Sequence, residues 1–530
     1  MNLLKEDWIT IQRRSGCEET VAPVALTADA DDPAVEILAP RADFRGALYQ
    51  FLIGLFQTTF APRDLHQWQE RWNKAPDEAG LREVLAPFVE AFEFDTDGPA
   101  FMQDFDLPES EYVGIAALLI DAPGNKTITD NKDHFVHREG VQQVCLSCAA
   151  AALFTLQVNA PSGGVGHRVS VRGGGPLTTL LVPEDERVSL WHRIWVNVLP
   201  QDALDYPANP RLSEVLPWMA TTRTSEPGGV GDTTPETVHP LQAYWSTSRR
   251  IRLDFSEGNA GACDLCGKPA EKLVRRYRTK NYGVNYTGTW LHPLSPYNYD
   301  PKAEKPPLSV KGQRGGIGYR HWLGLTLGDE EKMPDAAIVV KQFNWQLDRL
   351  PENARQMRLW CFGYDLDNMK ARCWYDSMLP VYGFASDEQK TAFVNVIAHL
   401  LEVAEEAASL LNKYVKAAWF KRPGDAGSEP AVPQSFWQAS ETKFYQELER
   451  ISRSNPSIDE EMIPFYREWL MSVRNIAAER FDNWVLAAPI EEMNVARVVK
   501  ARTDMLRLLA KGKAAKNLWR VVYEYEEEKS

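Results

Sequence analysis

Long apolar runs are missing from this chain of 530 residues. No stretch of about 18 consecutive apolar residues occurs, and the opening M-N-L-L-K-E-D-W has no basic segment followed by an apolar one, so the expectation is a cytosolic protein with no membrane contact. Cysteine is sparse, with seven residues, and an odd number without a leader fits a reducing compartment rather than a disulfide framework. Histidine is scarce as well. Its nine residues are scattered, His134 with His137 is the one grouping, and no H-E-x-x-H occurs. A G-K-[ST] phosphate loop is absent too. These gaps leave no readable nucleophile, phosphate cradle or open metal site, so the expectation is a protein that is not an enzyme. Positive charge is also in deficit: the net charge of −14 excludes a uniformly basic coat for nucleic acid, although local patches can still bind it.

The few cysteines are arranged. Cys145 with Cys148 and Cys263 with Cys266 each have C-x2-C spacing. Zinc held by all four would staple two distant stretches together while residues 149–262 loop out and return, unlike a ribbon whose pairs lie about 15 to 20 residues apart. Unmetallated core cysteine and a redox pair are the alternatives, the latter wanting a βαβ context that is not apparent around Cys145. Cys17, Cys361 and Cys373 show no ligand spacing.

With 44% hydrophobic residues the chain can bury a large core, and its length suggests two or more domains. The reading is α+β: a large mixed N-terminal domain over 1–380, stapled by the four-cysteine zinc site, and a C-terminal four-helix bundle over 381–530. Helical periodicity marks 45–57 and 81–92, and the Pro-, Thr-, Ser- and Gly-rich stretch 204–240 reads as an exposed irregular excursion. Ser386 with Gln389 is a capping-box signature, and Phe393, Ile397, Leu400, Ala404, Ala407, Leu411, Tyr414 and Ala418 recur at helical spacing. Three more helices are expected near 435–453, 459–486 and 491–525, the last basic through Arg497, Lys500, Arg502, Arg507, Lys511, Lys513, Lys516 and Arg520. That face touches nucleic acid or is simply solvated.

Two further segments carry chemistry. Lys272, Arg275, Arg276, Arg278 and Lys280 interleave with Tyr277, Tyr282 and Tyr286, which reads as a β-hairpin offering phosphate neutralisers beside stacking rings, or as a solvated hairpin face. The loop A-P-S-G-G-V-G-H-R-V-S-V-R-G-G-G-P-L-T-T over 160–179 is not a dinucleotide or Walker loop. Its dense glycines permit close backbone approach to a ligand, with His167, Arg168 and Arg172 beside them, and a plain flexible turn is the alternative. A second glycine-bearing loop, 311–320, is less specific.

The opening N-L-L-K-E-D-W-I, the F-M-Q at 101–103, the C-x2-C followed by A-L-F, the glycine loop ending R-G-G-G-P-L-T-T, and G-T-W-L-H-P-L-S-P from Gly288 together resemble the CasA family. CasA is the large subunit of the type I-E CRISPR surveillance complex, Cascade. The collinear resemblance runs over nearly the whole chain. It implies a non-catalytic cytoplasmic protein that recognises the protospacer-adjacent motif in target double-stranded DNA, opens the duplex for the CRISPR guide RNA, and works with other Cascade subunits and the CRISPR-associated helicase-nuclease. It also implies a structural Zn2+ on Cys145, Cys148, Cys263 and Cys266. Phe135, Val136 and His137 correspond to a segment that touches the guide RNA, His137 replacing an Asn. The family's minor-groove loop corresponds to 162–166, through Gly163, Gly164 and Gly166, with Val165 replacing a glycine. The family's hairpin lysine corresponds to Asn281 or its neighbour Lys280, and the wedge that splits the duplex corresponds to Asn368 in G-Y-D-L-D-N-M-K. The competing classes are a zinc-stabilised metal-dependent nuclease and a zinc-stabilised scaffold that touches no nucleic acid.

Overall fold

A computed structural model describes residues 1–529 except 125–127, 132–139, 205, 207–209, 257–259, 301, 303, 314, 329–333, 368–369, 385, 426, 455, 457–458 and 488–492. The chain forms two compact units, one of Met1–Gly316 with Glu330–Val381 and one of Ile317–Asp329 with Tyr382–Ser530.

The first unit opens with an antiparallel sheet in which β1 (Ile9–Arg13) lies between β2 (Glu18–Val21) and β3 (Ala34–Ile37). Helix α1 (Ala42–Thr59) follows and is buried almost all round, as an apolar helix without a polar face must be. At its middle the Phe51 ring meets Trp8, Phe92, Phe101, Phe154 and Trp245 edge-on, with centroids 5.4 to 6.1 Å apart. Such pairs add about 0.5–1.5 kcal/mol each beyond the area they bury. The helix expected over 81–92 is α-helical only from Glu78 to Leu85 and continues as a 3-10 turn from Ala86 to Phe92, because Pro87 lacks the N–H that an α-turn needs.

Further along lie β4 (Tyr112–Gly114), β5 (Val144–Cys145), α2 (Leu146–Asn159) and β6 (Thr178–Pro183). The stretch 204–240 is irregular but not simply exposed: Leu216, Trp218 and Thr233 are buried, and Trp218 packs edge-on against Phe92 and Phe101. Then come β7 (Arg250–Leu253), β8 (Gly261–Ala262), β9 (Pro269–Ala270), β10 (Leu273–Val274) and β11 (Arg276–Lys280). The expected hairpin after the second cysteine pair is instead the centre of a sheet, with β11 antiparallel to β4 on one side and β7 on the other. The unit ends in a long hairpin, β12 (Met357–Asp367) with β13 (Lys370–Pro380), and β6 pairs on the other edge of β12.

The collinear sequence motifs mostly supply packing. Phe101 belongs to the aromatic cluster, Gln103 binds the Phe94 carbonyl and the Leu253 amide, and Ser295 donates to the Leu177 carbonyl at 2.8 Å.

The second unit holds α3 (Asp387–Trp419), α4 (Ala431–Ser452), α5 (Asp459–Val485), α6 (Val495–Lys511) and α7 (Lys513–Lys529). Ser386 Oγ accepts the Gln389 amide at the start of α3, and the predicted apolar positions are buried except Tyr414. Packing on α3 comes from each of the other four. The last expected helix is thus two, parted at Gly512. A Cβ there would lie 2.5 Å from the Glu406 carboxylate, which accepts the Ala515 amide and so caps the start of α7. Tyr319 joins this unit by stacking on Phe444, with centroids 4.4 Å apart, and sharing a hydrogen bond with Ser440. Among the described residues no helix is long and apolar enough to cross a membrane.

Candidate functional site

The four cysteines meet. Cys145 ends β5 and caps α2, accepting the Cys148 amide at 3.5 Å, so the helix start sets the first C-x2-C. The second is set by the tight turn between β8 and β9, where the Cys263 amide donates to the Lys268 carbonyl and the Gly267 amide to the Cys263 carbonyl. Asp264 accepts the amides of Gln142 and Gln143, and Leu273 of β10 pairs with Cys145, which locks the two turns together across the intervening chain. All four sulfurs lie within 4.8 Å of one another, and Cys145 Sγ is 3.8 Å from Cys266 Sγ. That spacing is far beyond a disulfide bond and equals the edge of a tetrahedron whose centre lies about 2.3 Å from each sulfur. Hydrogen-bond sharing with Cys145 and Cys263 raises the Cys148 thiol, while sharing with Cys145 and Cys148 lowers Cys263. The residues therefore fit a closed site that could hold one metal ion, and among the described residues no other such cluster of possible ligands occurs.

A separate cleft of about 850 Å³ in the same unit gathers three of the segments singled out in the sequence. Its walls include 160–164 with Gly166 and His167, Lys280 and Asn281 where β11 ends, Lys370 and Arg372 at the start of β13, and 119–124. Gly164 and Gly166 have φ of +65° and +74°. A Cβ on Gly166 would approach Asn281 Cβ to 2.9 Å, so only glycine lets the loop close on the β11 turn. The closure is bonded: Asn281 Nδ2 donates to the Val165 carbonyl at 2.8 Å, and the Tyr282 amide donates to the Gly166 carbonyl at 2.8 Å. Asn281 thereby holds the loop. Lys280 and Lys370 are exposed, with no ion-pair partner among the described residues.

Arg249 is the residue that the sequence did not flag. Its guanidinium donates to the Pro161 carbonyl at 2.8 Å and meets His167 Nδ1, pinning both ends of the glycine loop, and burial holds its pKa down to about 10. Burial and that neighbouring charge also lower His167, so the ring is a neutral acceptor. Arg168 reaches Ser225, which in turn binds Gly283 and Tyr282, so the irregular stretch 204–240 braces the site.

Several expectations are corrected. Arg172 does not line the cleft: it is 2% exposed and donates to Thr178, Ser295, Gln50 and the Val158 carbonyl. Of the three rings only Tyr277 belongs to the cleft wall, where it is 5% exposed and so no free stacking platform, while the Tyr286 hydroxyl accepts the Thr247 amide. Arg276 pairs with Asp254 and Lys272 with Asp95. In the second unit, Arg497 donates to the carbonyls of Ala418 and Trp419, and Arg502 pairs with Asp482, which removes both from the exposed basic face. Phe135, Val136, His137 and Asn368 lie outside the described residues, as does His134.

The family model for the CRISPR-associated protein Cse1 matches residues 2–479. Among solved structures, CasA of Thermus thermophilus is similar with a TM-score of 0.69 at 15% identity, covering 96% of this chain and 99% of that one. Cse1 of Thermobifida fusca gives 0.67 at 16% identity, covering 96% and 98%. A chain of a CRISPR RNA-guided surveillance complex gives 0.66 at 15% identity, covering 96% and 99%. At these identities the structures speak for the fold.

Proposed function

The chain belongs to the CRISPR-associated Cse1 family, and from that premise we propose that it serves Cascade as a non-catalytic reader of the protospacer-adjacent motif in duplex DNA and as the opener of that duplex for guide-RNA pairing. The observation that carries the reading is the convergence of the glycine loop, the Lys280–Asn281 turn and the turn end of the β12–β13 hairpin on one cleft. The minor groove offers a degenerate set of acceptors, so its reader works through shape, close backbone approach and a few donors. Gly163, Gly164 and Gly166 supply the approach. Lys280 supplies the donor while Asn281 holds the loop, and Lys370 adds a second cation at the mouth. Asn368, between β12 and β13 in sequence, is the wedge that offsets the cost of unstacking a base step.

Phe135, Val136 and His137 contact the guide RNA, and sequence identity is left to its pairing with the target strand. The four cysteines hold a structural zinc: thiolates suit it, and a closed four-sulfur set leaves no position for catalysis. Partners are the other Cascade subunits, the guide RNA, target DNA and the CRISPR-associated helicase-nuclease, in the cytoplasm. A relative described as part of a CRISPR RNA-guided surveillance complex supports the assembly.

The test compares assembled complexes on duplexes with and without the protospacer-adjacent motif. Gly164→Val adds a side chain at φ +65°, where a Cβ lies 3.2 Å from the His167 ring, and discrimination between the duplexes is lost while guide-RNA binding survives. Asn368→Ala instead spares initial binding, slows opening and is rescued by pre-melting the duplex beside the motif. A wild-type complex that binds both duplexes equally overturns the reading.

A further inference from the structure

Between the glycine loop and the β12–β13 hairpin lies a piece of backbone with no room for side chains. Gly174 rests against the start of the loop, where a Cβ would stand 2.5 Å from the Ser162 amide nitrogen and 3.2 Å from the Pro161 carbonyl carbon. Gly175, at φ +56°, meets the hairpin: a Cβ there would lie 2.1 Å from Leu366 Cδ1 and 3.0 Å from its Cγ. Consecutive residues thus touch the loop on one side and the hairpin on the other.

The pair is itself pinned. Arg172 just before it is anchored by Gln50 and Thr178 at 2.7 and 2.8 Å, its carbonyl accepts from Ser309 and Lys311, and the Gly312 amide donates to the Gly175 carbonyl at 3.0 Å. Residues 309–312, which lead into the second glycine-bearing loop, therefore clamp the first. At Leu366 the ladder carries a bulge, with Asp365 opposite Cys373 and Leu366 opposite Ala371. The extra residue, Arg372, turns back onto the Asp365 carboxylate at 2.6 and 2.7 Å and lines the cleft.

We propose that Gly174 and Gly175 are positioning residues that couple the glycine loop to the hairpin, so that seating the loop on DNA shifts Leu366 and the end of β12. The inference rests on the reading of the cleft given above. Its physical basis is that close-packed backbone transmits displacement where a loosely packed connection would absorb it. Spatial intermediacy alone does not prove coupling; non-additivity does.

The first measurement uses the free full-length protein. In hydrogen exchange, Gly175→Ala pushes Leu366 from its seat and raises exchange about tenfold in peptides covering 161–166 as well as 366–372. Adding Leu366→Ala frees the space the new methyl needs and returns 161–166 to within about threefold of wild type. A rise confined to residues around 175, or additive effects in the double variant, overturns the coupling. If Gly175→Ala does not fold, Leu366→Ala alone decides: loss of the contact must raise exchange at 161–166, and no change there overturns it.

The second measurement places 2-aminopurine beside the motif in duplexes offered to the assembled complex. Gly175→Ala slows opening about tenfold, binds pre-melted duplex within about twofold of wild type, and regains most of its rate when Leu366→Ala is added. Equal opening rates in wild type and Gly175→Ala overturn the proposal. If the wild-type complex ignores the motif, the reading of the cleft fails, while the exchange experiment still decides the coupling.

Discussion

In the second unit, helices of 17 to 33 residues carry repeating apolar stripes and gather around α3. In the first, the strand Val144–Cys145 is two residues long, and the partner that fixes it, Leu273–Val274, lies more than a hundred residues away. A long helix states its buried face locally, through its period. A two-residue strand states nothing locally, so its place depends on what cross-links it, here the cysteine tetrad and the aromatic cluster around Phe51.

The largest expected effect follows from that contrast. With zinc in the tetrad, its binding free energy is part of the folding free energy of the first unit alone. Elemental analysis of protein purified without chelator should find one zinc per chain. Cys148→Ala or a strong chelator should then cost the first unit more than about 5 kcal/mol, the whole margin of a typical domain. Hydrogen exchange of the intact chain should show protection lost across 144–148 and 261–280, while 387–511 stays protected. Protection that survives chelation, or protein that contains no zinc, would dissolve the distinction between the units.

The same contrast explains what could be read in advance. The cysteine pairs were visible because metal ligation imposes a spacing, and the helices of the second unit because burial imposes a period. The break at Gly512 was not, since it depends on Glu406 from a distant turn of α3 capping α7. Alternation of charge and ring suggested a hairpin at 272–286, yet β11 pairs outward with β4 and β7, and nothing in its own sequence names those partners. At the cleft, glycine density marked the loop. Arg249 went unmarked because an arginine that holds carbonyls looks, in sequence, like any surface arginine. Arg172 erred the other way: a cation beside glycines suggested a ligand, and the structure spends it on the core.

A middle-sized effect sharpens the comparison within the second unit. Arg497 sits at the C-terminal end of α3, donating to the carbonyls of Ala418 and Trp419 at 2.8 and 3.0 Å. Arg497→Ala should lower its stability by about 1–2 kcal/mol, the scale of charge-assisted bonds to a helix end. Replacing exposed Lys500, Lys511 and Lys516 together by Gln should change stability by less than about 0.5 kcal/mol per site. If that face meets target DNA, the triple change should also lower the salt slope of binding by the complex by about 1 per lost phosphate contact. An unchanged slope leaves the face merely solvated.

The smallest effect is a pH response. His321 closes the short turn Tyr319–His321, and burial, reinforced by Arg320 and opposed by the Gly318 carbonyl, holds its pKa down to about 4. In the unfolded chain the ring titrates near its ordinary value of about 6.5. Between these values the unfolded state binds the extra proton, so stability is complete above about pH 6.5 and is lost as the pH falls toward 4. The neighbouring Trp322, packed against Tyr382 and Phe393, should loosen with it. Because the ring is not fully enclosed, the loss by pH 5 should be of order 1 kcal/mol, a shift of a few degrees in melting. His292 in the first unit is held lower still by burial, so acid weakens both units and wild type alone cannot separate them. The difference between wild type and His321→Gln can: the variant should lose less stability from pH 7 to 5, and exchange should slow only in 317–326 and the helices they touch. Equal acid responses in the two proteins would remove His321 from the stability of the second unit.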